Sequence, residues 1–87
     1  MRVSKPVIRQ GNALAVALTR ELKSLGIGAG ETVHLAIDGA RMAKRVTRQG
    51  STLSVLLTKE LKLLGYQHGD WIEIEIVEDG DMETQKN

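Results

Sequence analysis

The 87-residue chain contains no cysteine, so neither a disulfide framework nor a thiolate metal site can hold it together. That absence suits a reducing cytoplasm. No apolar run approaches the length of a signal-peptide core or a membrane span, so the chain reads as a soluble, cytoplasmic protein with no membrane partner. Catalytic groupings are also missing. His34 falls on the outer face of a strand and His68 in a turn, and Asp38 and Asp70 make no recognisable acid/base or metal constellation with them. Gly26, Gly28 and Gly30 follow a helical segment rather than precede one, so they read as turns and not as a phosphate cradle. No enzyme activity, cofactor or metal is expected.

What the chain does have is one unit written twice. Laying Val7 to Ile37 over Val46 to Ile76, a constant offset of 39, gives 15 identical pairs out of 31 without a gap. The identities include Arg9-Gln10-Gly11 with Arg48-Gln49-Gly50, the Leu14, Val16, Leu18 phase with Leu53, Val55, Leu57, and Thr19 with Thr58. Positions expected to face outward differ, as at Ala17 against Leu56 and His34 against Glu73. A unit of about 40 residues rarely buries enough apolar surface to fold alone without a disulfide or metal, so the two copies are expected to share one core. The expectation is a single domain over 1–87, with repeats 5–40 and 41–80 and a polar tail at 81–87.

Within each copy the pattern predicts strand, strand, helix, strand. Met1 to Ser4 reads as a loose end, and Lys5-Pro6 as an extended approach to a short strand around Val7 to Arg9. Gly11-Asn12 and Gly50-Ser51 are pairs that close a tight hairpin, glycine supplying the positive φ. The next strand places Leu14, Val16 and Leu18 inside with Ala15 and Ala17 outside; its copy places Leu53, Val55 and Leu57 inside with Ser54 and Leu56 outside. Thr19 and Thr58 are predicted helix N-caps and Gly26 a left-handed stop. The short helices should lie on a sheet through Leu22 and Leu25, and through Leu61 and Leu64. Strong alternation then marks Val33, Leu35, Ile37, Ile72, Ile74 and Ile76 as core. Asp38-Gly39 and Glu78-Asp79-Gly80 read as turns. The predicted fold is mostly β with two short helices, a small pseudo-two-fold β-barrel.

A net charge of +1 conceals a basic middle and an acidic end. Arg41, Lys44, Arg45 and Arg48 stand together without an acid, and Asp70, Glu73, Glu75, Glu78, Asp79, Asp81 and Glu83 without a base. Each run reads equally well as a solvated face or as a binding surface.

Val7-Ile8-Arg9-Gln10-Gly11-Asn12, Ala15-Val16, the Leu-rich helix, Leu25-Gly26-Ile27, Gly30-Glu31-Thr32-Val33 and Asp38-Gly39 resemble the DNA-binding unit of the AbrB, SpoVT and MazE proteins, the swapped-hairpin, looped-hinge-helix class. Both copies match, so the likeness covers nearly the whole chain. Members of that family usually carry one unit and dimerise by exchanging hairpins; the resemblance implies that two units build the barrel within one chain. The same doubling describes double-psi and related cradle-loop barrels, and the sequence does not separate the two.

The resemblance implies a DNA-binding transcriptional regulator. The matching DNA-contact positions are Arg9 and Arg48, with Lys5, Lys44 and Arg45 beside them and Asn12 and Ser51 at the hairpin tips. The arginine that the family motif carries after Ala-Val is replaced by Ala17 and Leu56, and its proline by Thr19 and Thr58. The acidic stretch from Asp70 resembles that of MazE-type antitoxins, which implies a MazF-like ribonuclease toxin as a partner, with Met82 the tail's sole apolar anchor. The alternative is a barrel module for protein association or homodimerisation, with Leu56, Trp71, Glu73 and Glu75 as contact residues.

Overall fold

The computed structural model describes residues 1–77, and the 78–80 turn and 81–87 tail expected from the sequence lie outside the described residues. The elements are β1 (Arg2–Pro6), β2 (Ile8–Gln10), β3 (Ala13–Ala17), α1 (Thr19–Ser24), β4 (Thr32–Ile37), β5 (Ala40–Gln49), β6 (Thr52–Leu56), α2 (Thr58–Leu64) and β7 (Trp71–Val77). All strand pairings are antiparallel, in the spatial order β1-β7-β4-β5-β6-β3-β2. The fold is thus mostly β with two short helices.

Turn chemistry sets the hairpins. Asp38 and Gly39 have φ of 52° and 82° between the paired Ile37 and Ala40, the double positive φ that a two-residue type I′ turn demands. Gly11 and Gly50, at φ 62° and 64°, open the turns between Gln10 and Ala13 and between Gln49 and Thr52. Only the first turn residue is left-handed there, which is why Asn12 and Ser51 fit in second place.

Contacts between the copies come in matched pairs. Val16 lies opposite Val55 and Ala36 opposite Glu75, each pair separated by the repeat offset. Leu18 N donates to Leu53 O and Leu57 N to Leu14 O, both at 2.8 Å. Val7 N reaches Asp70 O at 2.7 Å as Val46 N reaches Glu31 O at 2.8 Å. One buried cluster results, drawing on both copies: Val7, Val16, Leu18 and Leu22 with Val46, Val55, Leu57 and Leu61, closed by the inward residues of β4 and β7. All six alternating residues expected in β4 and β7 are in it.

Several sequence expectations change. Met1 to Ser4 is not a loose end, because Arg2 to Pro6 pairs residue for residue with β7 and Val3 packs on the core. The strand expected around Val7 is two segments flanking it, and the hydrogen-bonded ladder does not close into a barrel: β1 and β2 end the order, joined covalently through Val7. Proline accounts for the break, since Pro6 has no N–H to give, whereas its counterpart Arg45 lies inside the unbroken β5. Thr19 and Thr58 do not cap their helices. Their hydroxyls instead accept from the other copy, Leu53 N to Thr19 Oγ1 at 3.0 Å and Leu14 N to Thr58 Oγ1 at 2.9 Å.

Ala15 and Ser54, expected outside, are fully buried, because side chains this small are covered by longer neighbours; Ser54 Oγ sits 3.2 Å from Gln10 Oε1 and 3.4 Å from Thr47 Oγ1. Leu64 is exposed, while Leu22 and Leu61 are completely buried. The left-handed stop holds, with Gly26 at φ 74° and Ile27 N returning to Leu22 O at 2.9 Å.

Candidate nucleic-acid interface

β2, β3, β6 and β5 form one continuous four-stranded face with the Val16/Val55 pair at its middle. Since β3 and β6 run antiparallel, the Gly11-Asn12 and Gly50-Ser51 tips lie at opposite ends of that face. Gly11 precedes Val16 by five residues and Gly50 precedes Val55 by five. At about 3.3 Å per residue the tips stand roughly 30 Å apart along the strands.

Arg9 lies on β2 opposite Leu14 and Arg48 on β5 opposite Leu53; both are exposed, and neither makes an ion pair or side-chain hydrogen bond among the described residues. Asn12 and Ser51 are exposed at the tips, and Arg45 is exposed on β5 opposite Thr32. Between the tips the outward side of the face carries Arg45, whereas Arg9 and Arg48, in register with the inward Leu14 and Leu53, leave the sheet on the other side. Ala17 and Leu56 hold the places where the resemblance expects arginine, and the other outward groups include Ile8, Gln10 and Thr47, which cover Ser54.

Lys5 and Lys44 are engaged elsewhere. Lys5 Nζ is 2.9 Å from Glu21 on α1, and Lys44 pairs in the same way with Glu60 on α2. Desolvation pushes both carboxyls up, but the hydrogen bond from the lysine, helped by a backbone amide and nearby positive charge, outweighs it and holds each below its ordinary value. A depressed carboxylate stabilises the fold above the unfolded-state pKa near 4.5 and loses that contribution as pH falls through the folded-state value. Glu21→Gln/Glu60→Gln should therefore lower stability at pH 6 by about 0.2–1 kcal/mol per pair and flatten its decline below pH 4.5. Urea midpoints measured from pH 6 to pH 3 check this; parallel curves for the two proteins would refute it.

The proposed protein-contact residues separate. Trp71, Glu73 and Glu75 line the outward side of β7, Trp71 being 67 % exposed, whereas Leu56 lies on β6, which is not adjacent to β7. An apolar path nevertheless leads between them: Trp71 lies opposite Pro6, Ile8 is the next outward residue along the chain, and Ile8, Ala15 and Leu56 sit in register across three strands. The corresponding residues of the other copy, Thr32, Arg45, Thr47, Ser54 and Ala17, are mostly polar.

Sequence reasoning missed Lys62, Tyr66 and Gln67 and set His68 aside as a turn residue. These four line an open cleft with Arg9 and Asn12. Tyr66 Oη donates to Asp38 Oδ2 at 2.8 Å, which with burial raises the phenol above its ordinary pKa. The readable signal was a run of three unmatched positions, Tyr66, Gln67 and His68 against Ile27, Gly28 and Ala29. The amides of Gly28 and Gly30 are occupied by Glu31 Oε2 and Val46 O, as turn glycines require. Among the described residues no cluster of three or more histidine or acidic side chains could hold a metal, and no helix is long and apolar enough to cross a membrane.

No family model, characterised protein or solved structure matches the chain.

Proposed function

We propose that the chain is a DNA-binding transcriptional regulator of the AbrB/MazE kind, its two repeats pairing within one chain as the swapped-hairpin units of that class pair between two. The observation that carries this reading is the placement of two Gly-tipped hairpins that share Arg-Gln-Gly, with Arg9 and Arg48 exposed, at opposite ends of one four-stranded sheet. Their separation of roughly 30 Å approaches the 34–36 Å of one turn of B-DNA, the spacing at which a two-fold protein meets successive major-groove segments. Two exposed arginines would position the protein on phosphates, and the polar tips would meet the grooves.

The Arg9→Ala/Arg48→Ala protein should bind duplex DNA at least about tenfold more weakly at low salt. It should also lower the slope of log affinity against log salt by about 2, one for each lost phosphate contact. Fluorescence anisotropy across a salt series measures both, and an unchanged slope removes the arginines from the interface.

A second reading, protein association, draws on the apolar path from Trp71 through Pro6, Ile8 and Ala15 to Leu56. Its polar counterpart in the other copy makes it one-sided, as a contact with a single partner would require. Among outcomes of sedimentation over a range of concentrations, self-association abolished by Leu56→Glu favours this reading; a monomer throughout limits it to partners other than a second copy.

A further inference from the structure

The cleft between the β2–β3 hairpin tip and the segment after α2 encloses about 730 Å³, within the range of small-ligand sites. Three of its lining side chains are basic: Arg9, Lys62 and His68. Asn12 and Gln67 add carboxamides, and no carboxylate lines it. Two acids bond to lining residues, Asp38 to the Tyr66 hydroxyl and Asp70 to the Gln67 backbone amide, each at 2.8 Å. Arg9, Lys62 and His68 have no partner among the described residues, so their donors remain available.

The repeat supplies an internal control. The two-fold counterparts of Arg9, Lys62, Tyr66, Gln67 and His68 are Arg48, Lys23, Ile27, Gly28 and Ala29. The scaffold and two cations occur on both sides, but the imidazole, the phenol and both carboxamides occur on one, Ser51 standing where the other has Asn12. A shared pair of cations with new polar groups added on one side is what acquisition of a ligand by one half leaves behind.

We propose that this cleft binds a phosphate ester, its charge held by Arg9, Lys62 and His68 and its ester oxygens by Asn12 and Gln67. Guanidinium and ammonium groups make charge-assisted hydrogen bonds to phosphate, and lining without carboxylates leaves that charge uncontested. The ester could belong to a free nucleotide or to a nucleic-acid backbone. The site does not rest on the DNA reading, because Lys62, Gln67 and His68 lie off the four-stranded face.

The test is backbone amide NMR of the full chain titrated separately with adenosine monophosphate, inorganic phosphate and a short DNA duplex. Saturable shifts at residues 9–14 and 66–68 are expected, without matching shifts at 48–53 and 27–29 in the nucleotide and phosphate titrations and without matching shifts at 27–29 in the duplex titration. Saturation by the nucleotide identifies a free ester; saturation by duplex alone identifies a backbone phosphate. Lys62→Ala and His68→Ala should each weaken that binding about threefold to tenfold, while Lys23→Ala, the same change at the two-fold position, leaves it unaltered. No saturable shift with any of the three, shifts at 27–29 equal to those at 66–68, or equal losses for Lys62→Ala and Lys23→Ala would overturn the proposal. Loss of duplex binding in Arg9→Ala/Arg48→Ala with nucleotide binding weakened but retained would separate this site from the DNA face.

Discussion

Leu57→Ala is expected to destabilise the protein by about 2–5 kcal/mol, and Leu18→Ala by nearly the same amount. Both side chains are fully buried where a strand of one copy hands over to its helix, and each backbone amide is bonded to the opposite copy. Truncation removes packing at the point where helix and both sheet halves meet, and the backbone tie holds the wall in place so that it cannot collapse into the void. A domain of this size has a stability of about 4–13 kcal/mol, so one substitution lowers Tm by roughly 10–30 °C and the pair leaves little folded protein at 37 °C. The near-equality of the two singles is the sharper expectation, since it follows from the matched contacts rather than from leucine chemistry alone. Circular dichroism melts and urea titrations check it. A difference above about 2 kcal/mol between them would show that the two environments are not equivalent, and a loss below about 1 kcal/mol would show that neither leucine is held as described.

How far the fold was legible depended on the range of the interaction that decides each residue. Gly11, Gly50 and Asp38-Gly39 were readable because a required positive φ is a property of the turn itself. The Val33, Leu35, Ile37 and Ile72, Ile74, Ile76 sets were readable because period-2 alternation over a one-sided sheet admits a single burial pattern. Arg2 to Pro6 was not readable: its ladder partner, β7, lies at the far end of the sequence, and nothing local distinguishes a paired Arg-Val-Ser-Lys from a frayed one. Thr19 failed for the same reason, since its hydroxyl had a local amide within reach but is taken by Leu53 from the other copy.

The candidate interface divides along the same line. Arg9 and Arg48 were found through the repeat, which fixes their equivalence before any coordinate is known. Lys5 and Lys44 looked like their companions in the sequence, yet helix placement sets a glutamate against each. An ion-paired lysine keeps its charge but offers fewer donors to a phosphate, which concentrates the available cations at Arg9, Arg45 and Arg48. The cleft was hidden because its walls come from segments far apart in the chain, joined by long-range bonds such as that from Gly69 N to Val7 O at 2.9 Å.

A chain comprising residues 40–77 alone should not exist as a folded monomer. In the full protein β6 takes its second neighbour from β3 and β7 takes both of its neighbours from the first copy, β4 and β1. The Thr58 hydroxyl and the Leu57 amide also find their partners there. Cutting the chain after Gly39 leaves those edges unpaired and opens half of the apolar cluster to water, and roughly 38 residues cannot bury enough surface to offset their conformational entropy. The half-chain does, however, keep every group that the other copy supplies at identical positions: Val55 could face a second Val55 where Val16 now lies, and Leu53 could face a second Leu57. The expected result is a chain that is disordered at low micromolar concentration and gains β-structure with dimerisation as concentration rises. Circular dichroism combined with sedimentation equilibrium separates the states. A folded monomer at the lowest concentration would mean that one repeat carries its own core, and disorder at every concentration would mean that the divergent residues, Ala15 against Ser54 and Ala17 against Leu56, have made the two copies complementary to each other and no longer to themselves.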